Sequence, residues 1–93
     1  MNSHVNNDQS KRRQRIIALV AEILELDDPK SIKPTDRLRE DLGMDSLGSL
    51  ELLSTISEEL KLDLEMEDAM GISTIEDACA FVEHHYAEQH PNE

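Results

Sequence analysis

Apolar residues recur at Ile16, Ile17, Val20, Ile23 and Leu24, the spacing of one helix face, and predict a helix over residues 10–26. It should stop at Asp27-Asp28-Pro29, because the residue before a proline avoids the α region. Leu52, Leu53, Ile56 and Leu60 predict a second helix over residues 46–61, with Asp45 and Ser46 able to cap its start. A short third helix fits residues 66–70, ended by Gly71. The last helix opens at Ser73-Thr74, where Glu76 follows Ser73 by three residues as in a capping box, and its inner stripe is Ile75, Ala78, Cys79 and Val82. Residues 27–45, with Pro29, Pro34 and Gly43, read as a long loop pinned by Leu38 and Leu42, with a short turn around residues 35–39. Loops of that length in small domains usually carry function.

These elements predict an all-α fold, a small four-helix bundle with a long loop between helices one and two and a short third helix. Residues 1–8 are polar and aperiodic and are expected to be disordered, residues 9–87 form the domain, and residues 88–93 should fray.

The second helix has two apolar arcs. With Ser46 at zero, Leu52, Leu53, Ile56 and Leu60 fall within roughly 240° to 340° on a helical wheel, which is the core face. Leu47, Leu50 and Ser54 fall near about 100°, 40° and 80°, with Glu51 and Glu58 near about 140° and 120°. A single outward leucine needs no explanation. Two of them, rimmed by carboxylates and starting beside Ser46, favour a docking stripe.

Charge sharpens that picture. The formal net charge is -12 in 93 residues, and residues 40–93 hold 15 Asp or Glu against one base, Lys61. Such a surface repels phosphate backbones and attracts basic protein faces, so nucleic acid is not an expected partner. One cysteine, Cys79, allows no internal disulfide, and no apolar run approaches a membrane span. A soluble cytoplasmic protein follows as the expectation. At this length a deep catalytic cleft is not expected either.

Asp41-Leu42-Gly43-Met44-Asp45-Ser46-Leu47 resembles the attachment motif of acyl carrier proteins, D-L-G-x-D-S-L. The similarity extends from about residue 12 to residue 86 and includes Asp36, Leu38, Glu51-Leu52 and Ile72-Ser73-Thr74-Ile75. The resemblance implies that the chain is no enzyme. It implies that Ser46 takes 4'-phosphopantetheine, donated by coenzyme A through a phosphopantetheinyl transferase, and holds acyl intermediates as thioesters. The other implied partners are acyl-transferring and condensing enzymes with basic docking surfaces, met by Asp45, Leu47, Leu50, Glu51 and Glu58. A monomer suits a carrier that visits many partners. Independently of the resemblance, a helix start at Ser46 favours a phosphodiester anion.

The chain departs from fatty-acid carriers at Gly48, Ser54, Ser57 and Glu65, which points to a polyketide or other specialised pathway. A peptidyl carrier would show G-G-[HD]-S where Met44 stands, and a D-alanyl carrier would lack the preceding Asp-Leu-Gly. The rival from another class is an acidic helical adaptor that is never modified.

Other signals weigh less. The spacing of Gly43, Ser46 and Gly48 misses the G-x-S-x-G of a serine hydrolase, and His84, His85 and His90 read as tail residues. Asp63, Glu65, Glu67 and Asp68 lack the glycine and glutamate of an EF-hand, so no metal site is expected. Met44, Met66 and Met70 suit an adaptable acyl groove or simple core filling equally.

Overall fold

A computed structural model describes residues 3–91, with side chains from residue 8 onward. Four helices, α1 (Ser3–Ile23), α2 (Ser46–Leu60), α3 (Met66–Ala69) and α4 (Ile75–Gln89), follow one another, and no strand occurs among the described residues. This is the expected helical bundle. α1 packs against both α2 and α4. The shared core joins Ile16, Leu19 and Val20 of α1 to Leu52 and Ile56 of α2 and to Ile75, Cys79 and Val82 of α4. Burying an aliphatic side chain of this kind contributes about 1.5–3 kcal/mol.

Both ends of α1 differ from expectation. The helix begins at Ser3, ahead of the expected start at residue 10; Met1 and Asn2 lie outside the described residues. Extending a helix from an existing nucleus costs little, and this polar stretch has no glycine or proline to stop it. α1 also ends well before Pro29. Glu25 takes the left-handed conformation (φ 58), while Glu25 N–H donates to Glu22 O (3.1 Å) and Leu26 N–H to Ala21 O (2.8 Å). That pairing closes the last turn as a Schellman motif.

The long loop is tightly organised. Asp28 accepts from Lys30 N–H and caps a 3-10 turn at Pro29–Ser31. Farther on, Leu38 N–H donates to Ser73 O (2.9 Å), Ile75 N–H to Asp36 O (3.0 Å) and Glu76 N–H to Pro34 O (2.9 Å), which stitches the loop to the start of α4. Ile32 and Leu38 are buried as its apolar anchors; Leu42 packs against the core from the side.

The remaining boundaries follow local chemistry. α2 ends at Leu60 because Lys61 is left-handed (φ 54), and Ser57 Oγ turns inward to donate to Leu62 O. α3 is shorter than expected by one residue, Met70, which is its C-cap. The capping box of α4 is one residue later than expected. Thr74 is the N-cap and Asp77, not Glu76, closes the box. Of the segment expected to fray, residues 88–93, Asn92 and Glu93 lie outside the described residues. α4 runs through Gln89, whose side chain accepts from Asp63 N–H (2.7 Å) and donates to Asp63 O (3.0 Å). His90 Nε2 lies 3.1 Å from Lys61 O.

Candidate functional site around Ser46

The turn that precedes α2 sets the position of Ser46. Asp41 and Leu42 N–H groups both donate to Arg37 O (3.0 Å each), Gly43 N–H to Arg39 O (3.1 Å) and Met44 N–H to Leu38 O (2.8 Å). Gly43 sits at φ 76, which a residue without Cβ adopts freely. Met44 is buried beneath this turn, so the chain enters α2 from a fixed point in the core.

Asp45 is the N-cap of α2, accepting from Gly48 N–H at 2.8 Å. Ser46 is therefore the first helical residue rather than the cap, and its exposed hydroxyl is not consumed by the helix start. Arg39 Nη2 donates to Ser46 Oγ at 3.2 Å. The unpaired N–H groups and the positive dipole end of a helix start add a field that favours an anion there.

A groove of about 510 Å³ lies beside this hydroxyl. It connects the exposed Arg39, Ser46 and Met70 with Met44, Met66 and Phe81 deeper in the fold. All three methionines singled out from the sequence line it. Leu53, assigned to the core face, is half-buried and also lines this groove, as does Ser49.

The outward arc of α2 is exposed. Leu47 is 73% and Leu50 48% accessible, and Asp45, Glu51 and Glu58 are exposed beside them. Met70, 79% accessible, is a further exposed apolar side chain at the end of α3. Gly48, by contrast, faces inward. A Cβ there would meet Met44 Cγ at 3.1 Å, Asp45 Oδ1 at 3.3 Å and Ile23 Cγ2 at 3.4 Å.

Sequence reasoning missed Arg39, since only the folded turn brings it to Ser46 across seven positions. Cys79 is buried in α4, and that burial pushes its thiol up from the ordinary value. The histidines have partners elsewhere: His84 lies 3.5 Å from Glu88, and the His85 ring meets Phe81 at a tilt of 57°. Among the described residues no group of three His, Cys, Asp or Glu is arranged to hold a metal, and no helix is long and apolar enough to cross a membrane.

Residues 14–82 match the family model described as phosphopantetheine attachment site. The chain is 33% identical over 69 residues to a putative mitochondrial acyl carrier protein of Schizosaccharomyces pombe, covering 74% of this chain and 62% of that protein. It is also 33% identical over 75 residues to the acyl carrier protein of Thermosynechococcus vestitus, covering 81% of this chain and 91% of that one. Phosphopantetheine is thus the cofactor of the matched domain, and such proteins carry substrates instead of transforming them. With the helical bundle and the D-L-G-M-D-S-L segment at the head of α2, these matches establish that the chain belongs to the acyl carrier protein family.

Proposed function

We propose that the chain holds acyl intermediates as thioesters on a 4'-phosphopantetheine arm joined to Ser46 Oγ. The observation that carries this reading is the exposed Ser46 hydroxyl at the first position of α2, beside the groove and spared from capping by Asp45. The residues present fit the group. Arg39 and the helix start supply positive charge for a phosphodiester, and the groove offers an apolar lining for an acyl tail.

When attached, the arm supplies the thiol that bears the acyl group. The chain's own part is to fix the attachment oxygen, neutralise the phosphate and shield the cargo. Met44, Met66 and Met70 suit cargo of varied shape, because an unbranched thioether side chain repacks readily.

The transferase that loads Ser46 and the acyl-transferring and condensing enzymes that follow are the proposed partners, docking basic surfaces on Asp45, Leu47, Leu50, Glu51 and Glu58. A monomer in the cytoplasm fits this role. Gly48, Ser54 and Ser57 depart from the pattern of fatty-acid carriers, which supports a polyketide or other specialised pathway, although Gly48 is buried behind the stripe and not on it. Ser57 in particular is committed to the helix end.

Intact mass after incubation with coenzyme A and a promiscuous phosphopantetheinyl transferase tests the reading. The wild-type chain should gain one phosphopantetheine, and Ser46→Ala, folded by circular dichroism, should gain none. No gain in the wild type would favour an unmodified adaptor, and a gain in the variant would move the attachment elsewhere.

A further inference from the structure

We propose that Arg39 is the positioning residue of the arm: its guanidinium pairs with the phosphodiester on Ser46 and holds the arm at the groove. This deepens the reading of Ser46 as the attachment point and rests on it.

The neighbouring carboxylates are directed away from Arg39. Arg37 takes Asp41 through two contacts of 3.2 and 3.3 Å and lies 3.7 Å from Glu40. Asp45 is turned to Gly48 N–H. Arg39 instead donates to Ser46 Oγ, a neutral oxygen, at 3.2 Å. A guanidinium has five donors and a full charge, so one hydroxyl uses little of its capacity. A phosphodiester bonded to that same oxygen places anionic oxygens within its reach, in the fork geometry that suits arginine.

The surrounding charge makes the pairing matter. Glu40, Asp41 and Asp45 precede Ser46 within six positions of the chain, and a phosphodiester adds a further negative charge to this acidic stretch. Arg39 is the basic group brought to Ser46 by the turn, which is itself fixed by the bonds from Gly43 N–H to Arg39 O and from Met44 N–H to Leu38 O. Arg39 also lines the groove. A phosphate held by Arg39 thus starts the arm at the groove mouth rather than toward solvent.

Phosphorus NMR of the loaded protein tests this directly. Wild type, Arg39→Ala and Arg39→Lys are first loaded with the promiscuous transferase and checked by intact mass and circular dichroism. At low salt the wild-type phosphodiester should show slower local motion and a displaced shift, and Arg39→Ala should move toward free phosphopantetheine. Arg39→Lys should lie between them. The populations of held and free arm should differ between wild type and alanine variant by about 1.5- to 5-fold, the range of exposed ion pairs. Added sodium chloride should move the wild type toward the variant. Identical shift and relaxation in the loaded wild type and Arg39→Ala would overturn the assignment of Arg39 and leave Ser46 standing. Absence of a mass gain in the wild type would instead overturn Ser46 as attachment point, and this proposal with it.

Discussion

Arg12 of α1 grips Glu83 of α4 through two parallel hydrogen bonds of 2.7 Å, and its guanidinium lies 4.1 Å from the centre of the Tyr86 ring. The two side chains are only 16% and 24% accessible, so solvent screens this pair less than an ordinary surface bridge. It ties together the first and last helices of the bundle.

Arg12→Ala should therefore lower stability by about 1–2 kcal/mol, summing a bidentate pair and a cation–π contact. Lysine cannot form the fork, so Arg12→Lys should recover less than half of the loss. Urea denaturation of the two variants, with Glu83→Gln as the second arm of a double-mutant cycle, measures the coupling. A coupling energy indistinguishable from zero would sink the assignment.

The core of this arrangement was legible in the sequence, whereas its boundaries were not. Apart from Leu53, which lines the groove, the periodic aliphatic residues of α1, α2 and α4 pack into or against the core as their spacing predicts, because burial decides the face. The helix ends depended on conformations that spacing does not encode. Glu25 and Lys61 are left-handed without being glycine, so α1 and α2 close by backbone bonds that leave no clear sequence mark. The capping box slipped by one residue because Thr74 and Asp77 have the same chemistry as Ser73 and Glu76. Ser46 was visible through its motif, but Arg39 was not, since the contact depends on a turn closed by backbone hydrogen bonds.

Gly43 offers a test of that turn. Its φ of 76 is strained for any residue with a Cβ, yet nothing lies within 4 Å of where that Cβ would stand. Gly43→Ala should cost about 1–2 kcal/mol through backbone conformation alone, and Gly43→Asn less, since asparagine tolerates the left-handed region better. Denaturation midpoints of the two variants decide this. Equal stability of wild type and Gly43→Ala would show that the turn relaxes freely.

Acid should weaken the start of α4. Asp77 accepts from Thr74 N–H and Ser73 N–H at 3.2 Å each, and these bonds hold its carboxyl below the ordinary aspartate value of 3.8. A depressed folded value means that the unfolded state binds the proton more readily. The stabilisation is complete above about pH 4 and is lost as pH falls through the lower folded value. Relief of the general negative repulsion acts in the opposite direction, so the difference between wild type and Asp77→Asn isolates the cap. That difference should favour the wild type at neutral pH and shrink below pH 3.8. Thermal melts across this range check it, and a difference that grows on acidification would refute the account.

Partner docking is expected on the outward arc of α2, with Leu50 as apolar anchor and Asp45, Glu51 and Glu58 as charged rim. Leu47 and Leu50 are exposed on the face opposite Leu52 and Ile56, and the arc begins next to Ser46, so an enzyme seated there reaches the Ser46 hydroxyl. A rim charge acts mainly on association rate and its salt dependence. Glu51→Lys should therefore slow arm transfer by a basic transferase, and rising salt should narrow its deficit against the wild type. Leu50→Ala removes a contact that docking would desolvate and should cost roughly 1–3 kcal/mol of partner binding, with a weaker dependence on salt. Leu50 is about half accessible, so this loss should come with little change in the melting of the free protein. Loading rates at subsaturating carrier, measured for variants shown folded by circular dichroism, separate the two effects. Wild-type rates in both variants at low salt would place docking on another face of the molecule.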